Sequence, residues 1–299
     1  MNSETKALIF GLLAVLLWST VASAFKIGLA HAHILWLLTG SCFFSILGLA
    51  CILVSRNQLF VACQLLWRYR EPSIKAGLLN PVVYYLILFA AYDSLPAQIA
   101  QPVNYTWGVV LPLLAAIFLG KKITRWDISG MCIAYSGVFI IAIAGESIVD
   151  ELNYIGVALA LLSTLVWSAY WLVGMGDQRS PVVALFQNFV YALPVLLLLL
   201  VVEQWLWQEV TFELSYTVLA SMAYIGLFEM GLTFVLWQYA LKTSHYTARI
   251  SSLIFFSPFL SLFIIHLVLG EPLQWLTFSG LLVIVLGVGL QQVTSSKEL

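Results

Sequence analysis

Charge is what this sequence has least of. Asp, Glu, Lys and Arg make up 9% of its 299 residues against 62% hydrophobic residues, and the mean hydropathy is +0.99. A soluble globular domain carries roughly 25% charged residues, so this composition excludes an independent water-soluble fold and predicts an integral membrane protein. A net charge of −1 leaves no basic surface for nucleic acid. The longest interruption between apolar runs, residues 56–75, is itself broken by Leu, Phe, Val and Trp, so no extramembrane domain is expected. Cysteine is scarce as well: Cys42, Cys51, Cys63 and Cys132 lie in or beside apolar segments with no CxxC or Cys/His spacing, as small buried hydrophobes do. GxSxG, HExxH and nucleotide-binding loops are absent, and the acids at membrane depth do not pair. Neither nucleophile-plus-base nor two-carboxylate chemistry can be assembled. No catalytic residue, metal or cofactor is expected, and any uphill work must draw on a gradient.

Apolar runs of spanning length are plentiful. They lie at 6–28, 32–54, 74–93, 97–119, 127–144, 154–174, 181–203, 216–241, 246–269 and 274–293, which predicts an all-α protein with ten transmembrane helices. Lys6, the first apolar run and Ala22-Ser23-Ala24 also resemble a signal peptide with its cleavage site. The recurrence of that segment later in the chain makes it the first span instead. Trp167-Ser168 lies 149 residues after Trp18-Ser19. Leu269-Gly270, Ser279-Gly280 and Gly287-Val288 each lie 150 residues after Leu119-Gly120, Ser129-Gly130 and Gly137-Val138. Four pairs in register argue for a duplication with halves at 1–148 and 149–299. Five helices per half is an odd number, so the second copy enters the membrane upside down, as in many secondary transporters.

With the N-terminus inside, twelve of the thirteen Lys and Arg residues fall on the cytoplasmic side, among them Lys121, Lys122, Arg249 and Lys297; Lys26 is the exception. Eight acids, including Asp150, Glu151, Glu209, Glu213 and Glu271, fall outside. Both termini are therefore expected in the cytoplasm.

Glu229 is the sharpest candidate for function. It falls at the midpoint of the eighth span, roughly 20 Å from either end by the helical rise, where a charge costs at least ~2.5–3.5 kcal/mol. Three roles are open: proton carrier, partner for a substrate amine, or structural hydrogen-bond anchor. Its helical neighbours are Ile225, Gly226, Leu232 and Thr233. Gly226 and Thr233 leave room for a cavity or for close helix contact. By the repeat offset its counterpart in the first half lies near residues 79–90, a stretch without an acid.

The fourth span is unusually polar in its first half. Gln101, Asn104, Tyr105 and Gly108 share one helical face, where they can hydrogen-bond a solute while Tyr105 and Trp107 supply walls. Pro102, Pro112 and Pro258 are positions where the backbone can kink or open. Trp18, Tyr84, Tyr85, Trp167, Tyr170, Trp171, Tyr224 and Phe255 also lie at depth, where pocket lining and core packing are equally open. Trp36, Trp67, Trp126, Trp205, Trp207 and Trp275 suit an interfacial belt. No Lys or Arg occupies the midplane, which counts against strongly anionic substrates.

Ten helices in two halves, LLWS at residues 16–19, LVWS at 165–168, LWQYALKTS at 236–244 and VLGEPL at 268–273 resemble the drug/metabolite transporter superfamily, EamA-like branch. VNYTW at 103–107 is similar to the fourth-helix stretch of bacterial aromatic amino acid exporters. The resemblance implies an inner-membrane carrier with a central cavity walled mainly by helices other than the fifth and tenth. It also implies export of amino acids or small metabolites. Lys121 stands where the second half has Glu271, a departure in a loop. The expected function is a secondary transporter that exports small neutral or zwitterionic metabolites by alternating access. Gln101, Asn104, Tyr105, Trp107, Tyr84, Trp18, Trp167, Tyr170 and Phe255 are its candidate substrate residues, and Glu229 is the proton-coupling or amine-binding group. An uncoupled facilitator is the alternative. Expected partners are the substrate, protons and lipid, with the chain a monomer or weak oligomer.

Overall fold

The computed structural model describes residues 2–120, 124–146, 153–207, 215–245, 250 and 252–295. Lys121, Lys122, Arg249, Lys297, Asp150, Glu151, Glu209 and Glu213 lie outside these, as does most of the expected start of the ninth span. Among the described residues every regular element is helical. The ten principal helices are α1 (Ser3–Leu29), α2 (Ile34–Ser55), α3 (Arg70–Ser94), α4 (Ala97–Leu119), α5 (Arg125–Glu146), α6 (Tyr154–Gly174), α7 (Pro181–Trp207), α8 (Tyr216–Thr243), α9 (Ser257–Leu269) and α10 (Trp275–Ser295). α1 to α8 are long and apolar enough to cross a bilayer, and the last two supply shorter apolar stretches, Leu253–Leu269 and Trp275–Leu290. The interruption at 56–75 holds a short helix, Leu59–Gln64, and α3 begins at Arg70, four residues earlier than its apolar run.

The repeated dipeptides acquire physical meaning here. Gly120 and Gly270 adopt φ of 66° and 70° and end α4 and α9. This left-handed stop is one that a side chain disfavours. The other glycines of the repeat form the seam between α5 and α10. A Cβ on Gly137 would meet the Gly280 carbonyl at 2.5 Å, and one on Gly287 would meet the Gly130 carbonyl at 2.5 Å. Gly130 pairs with Gly287 and Gly137 with Gly280, so each half presents the same small residues to the other. This is the contact expected of inverted copies packed in lipid, where small residues let backbones approach.

The third helix of each half is interrupted: α3 kinks at Asn80, whose backbone is extended (φ −141°, ψ 115°) ahead of Pro81, and α8 widens into a π-type segment, Ile225–Leu232. Both leave the regular i→i−4 ladder, and π-type segments occur often at functional sites. Each carries a buried polar side chain, Asn80 and Glu229, which stand 149 residues apart. Gly226 settles the question left open by the sequence. A Cβ there would collide with the Ser41 carbonyl oxygen and meet Phe44 Cβ at 2.8 Å, so the residue serves close contact with α2. Gly226→Val is expected to destabilise the fold by about 1–3 kcal/mol or more, because backbone cannot yield as a side chain can. Gly174→Ala, with open space at its Cβ, should be near neutral. Heating purified variants while following tryptophan fluorescence checks both.

Each face of the bundle is tied by a charge. At the N-terminal face, Arg179, between α6 and α7, uses all five of its N–H groups. Nε and Nη2 donate to Asp177 at 2.9 and 2.5 Å, Nη1 to Ser73 and Gln187 at 2.5 and 2.6 Å, and Nη2 also to Asn188 Oδ1 at 3.3 Å. Its side chain is 2% exposed. Burial alone pushes the Asp177 carboxyl up, but the Arg179 hydrogen bonds and charge outweigh this and hold it below the ordinary carboxylate value. A carboxyl lowered on folding stabilises the fold fully above its unfolded pKa of roughly 3.9 and loses that contribution as pH falls through the folded value. Asp177→Asn is therefore expected to lower the unfolding temperature at pH 7 by at least about 5 °C, since it strands a buried guanidinium. The gap should close below about pH 4.

Candidate solute-binding cavity

A cavity of about 350 Å3 lies at the centre of the bundle, at the low end of the range of small-molecule sites. Its lining comes from α1, α3, α4, α6 and α8 and from the 3-10 turn Ser252–Phe256 that leads into α9. Among the described residues, none of α5 or α10 lines it.

Duplication places Trp18 of α1 and Trp167 of α6 on the cavity wall. Both rings meet Phe234, at centroid distances of 5.6 and 5.9 Å. The serines that follow them are buried against neighbouring helices: Ser19 donates to the Ser257 carbonyl at 3.1 Å and Ser168 to the Trp107 carbonyl at 3.4 Å. Tyr84 stacks on Trp167 at 4.5 Å.

α4 is not the continuous helix its apolar run predicts. It runs as Ala97–Asn104 and Trp107–Leu119 with a turn at Tyr105-Thr106, where Thr106 N donates to the Val103 carbonyl at 3.1 Å. Pro102 has no N–H to bond Gln98, and Thr106 Oγ1 also takes the Val103 carbonyl at 2.8 Å. The ladder is thus weakened on both sides of Asn104. Gln101, Asn104, Tyr105 and Trp107 all line the cavity. Asn104 is positioned by its Nδ2, which donates to Ser163 Oγ at 2.8 Å, and by the Tyr84 hydroxyl at 3.5 Å. Gln101 Oε1 accepts a short hydrogen bond from Ser261. Gly108 does not share their face: the turn rotates it toward α10, where its Cβ would meet Val288 Cγ1 at 2.7 Å.

Glu229 reaches the cavity from the π-type segment of α8 and is 9% exposed. The Tyr85 hydroxyl donates to its Oε1 at 3.0 Å, and Oε2 has no partner among the described residues. Among the described residues no Lys, Arg or His lines the cavity. Two candidates lie elsewhere. Tyr170, one turn beyond Trp167, lines a separate space toward the N-terminal face. Phe255 faces Ile284, Val285 and Val288 in a gap of about 30 Å3, because the 3-10 turn directs it at α10. The lining also includes Phe25, Tyr92, Phe234 and Trp237, which sequence reasoning missed. In a regular helix the residues three and four beyond Glu229 are Leu232 and Thr233. The π-type turn moves Phe234 onto that face instead.

At the opposite face two charged side chains are tied to backbone. Lys26 Nζ donates to the carbonyls of Tyr92 and Leu95 at 2.8 and 3.1 Å, and the Glu271 carboxylate accepts from the backbone of Ala97 and Gln98 at 2.8 and 3.1 Å. A cation thus caps the end of α3 and an anion the start of α4, each matched to the local helix dipole.

The sequence profile of the EamA-like transporter family matches residues 5–143 and again residues 154–291. The chain belongs to the EamA-like transporter family. Its two matches correspond to the two five-helix halves. This EamA-like transporter is 24% identical over 223 residues to the uncharacterized transporter YvbV of Bacillus subtilis (strain 168), covering 75% of this chain and 72% of that one. It is 23% identical over 225 residues to an uncharacterized transporter of Archaeoglobus fulgidus, covering 74% and 77%. A solved crystal structure shares the fold at a TM-score of 0.65 and 19% identity, over 98% of this chain and 99% of its own. The family and its members' names indicate transport and not enzymatic catalysis.

Proposed function

We propose that this EamA-like transporter is a secondary exporter of small neutral or zwitterionic metabolites, with amino acids, aromatic ones included, as the leading class. The observation that carries this reading is the cavity's chemistry, which among the described residues is one carboxylate, no cation, amides at Gln101 and Asn104, and walls of Trp and Tyr. An ammonium group can meet the unpaired Glu229 Oε2, the amides can bond a polar end, and an aromatic side chain can stack on Trp18 or Trp167. A strongly anionic solute would find repulsion and no compensating charge. Export follows the family resemblance. With the basic loops inside, the N-terminal face is cytoplasmic, both termini are in the cytoplasm and the protein is in the inner membrane. Glu229 couples protons to an alternating-access cycle in this reading. The uncoupled facilitator keeps some support from Tyr85, whose bond gives Glu229 a structural tie.

Thermal shift of the purified protein against amino acids, quaternary amines and nucleobases tests the substrate class, since a ligand at 100 times its Kd adds about 2.7 kcal/mol of stability. Stabilisation by amino acids is expected. Stabilisation by quaternary amines alone would overturn the class.

A further inference from the structure

Toward the N-terminal face lies a second cavity of about 740 Å3, twice the volume of the central one. It opens beside the loop at 175–180 and the starts of α3 and α7. Trp171 and Phe234 line both cavities and form the wall between them.

Its charged groups are already spent. The five N–H groups of Arg179 are all engaged, so none remains for a carboxylate or phosphate. Both Asp177 oxygens accept from Arg179, so neither is left for an ammonium group. The polar groups still available are neutral. The Gln238 amide lines this cavity with no hydrogen-bond partner among the described residues, and Asn188 spends its Oδ1 on Arg179 while keeping its NH2 donors. The Tyr170 hydroxyl lies beside Asn188 and beside Asn80, a buried amide with neither polar atom paired. An amide offers a donor next to an acceptor, and its natural complement has the same pair reversed.

We propose that this cavity is a second solute site in series with the central one, taking the uncharged end of a solute that presents an N–H donor beside a C=O acceptor, a carboxamide or lactam edge, with any charged end left at the open mouth. Gln238 and Asn188 hold that edge, and Tyr170 and Trp171 flank it. The inference rests on membership of a transporter family and on neither Glu229 nor the amino-acid reading. Because the outer space is the larger, solutes too big for the central cavity still enter it and block the path.

The test is equilibrium dialysis of the purified full chain with radiolabelled L-glutamine, and with radiolabelled uracil as its rigid counterpart. Two sites per chain are expected for L-glutamine. Gln238→Leu should remove one or weaken it at least tenfold, and Asn104→Leu with Glu229→Gln should remove the other. If Gln238→Leu folds poorly, Gln238→Glu, which keeps the volume and removes the donor, should give the same loss. A single site that the Gln238 variants leave unchanged, no binding of either probe, or both sites unchanged in those variants would overturn the proposal; a single site that the Gln238 variants abolish would keep the outer site and count against the amino-acid reading of the central cavity. Two intact sites with no transport of L-glutamine would count against the exporter reading alone.

Discussion

Glu229→Gln is expected to leave the protein folded and to abolish its response to an imposed pH gradient. Glutamine keeps the shape of the side chain and an Oε1 that still accepts from Tyr85 Oη, so the tie between α8 and α3 survives. What it loses is the ability to gain and release a proton, or to carry the charge that meets an ammonium group. A single proton moving down a gradient of two pH units supports an accumulation of up to about 100-fold, at 1.36 kcal/mol per unit. Proteoliposomes holding wild-type protein should approach that ceiling from the driven side, whereas Glu229→Gln should stop at equal concentrations. Accumulation by the variant matching wild type at every pH would show that the carboxylate is structural. Tyr85→Phe separates the two roles further: it removes the tie and leaves the proton site, so coupling should persist with reduced stability.

Glu271→Ala is expected to open the face where Lys26 and Glu271 bond the backbone of α3 and α4, if those bonds favour an arrangement closed on that side. The carboxylate accepts two backbone N–H bonds at the start of α4 and faces the positive end of its dipole. Hydrogen bonds to a charged group contribute about 1.5–3 kcal/mol each. Should only about 2 kcal/mol be specific to the closed arrangement, the closed-to-open ratio falls roughly 30-fold. Leu88→Cys lines the cavity below this face and can report its opening in a background with the four native cysteines replaced. A membrane-impermeant thiol reagent should label it at least about ten times faster when Glu271 is Ala, with Glu271→Gln in between. An unchanged labelling rate would mean that the cap serves only the fold.

Much of the architecture was legible in the chain. A run of some twenty apolar residues has few options in a bilayer, because every backbone polar group must be satisfied within the segment. The ten spans and the all-α class follow from that. The repeat was legible because its surviving dipeptides are under steric constraint. Gly120 and Gly270 end helices with positive φ, and Gly137, Gly280 and Gly287 sit at a seam where any Cβ collides. Glu229 stood out because a carboxylate at membrane depth is costly wherever it lies.

The cavity itself was legible only in part. Gln101, Asn104, Tyr105 and Trp107 were marked by polarity and depth, and all four line it. Tyr170 and Phe255 were marked by depth alone and lie elsewhere. Depth gives no azimuth, and azimuth along these helices departs from 3.6 residues per turn wherever the ladder breaks. The turn at Tyr105-Thr106 removes Gly108 from the cavity, and the π-type turn in α8 brings Phe234 in. The sequence by itself determined a ten-helix duplicated membrane protein with one acid at its centre. Only the tertiary structure decided which faces meet that acid, that Tyr85 holds one of its oxygens and leaves the other free, and that the charges of Arg179 and Glu271 are used up at the two ends. Those contacts join residues tens to hundreds of positions apart through non-regular turns, and no local periodicity encodes them.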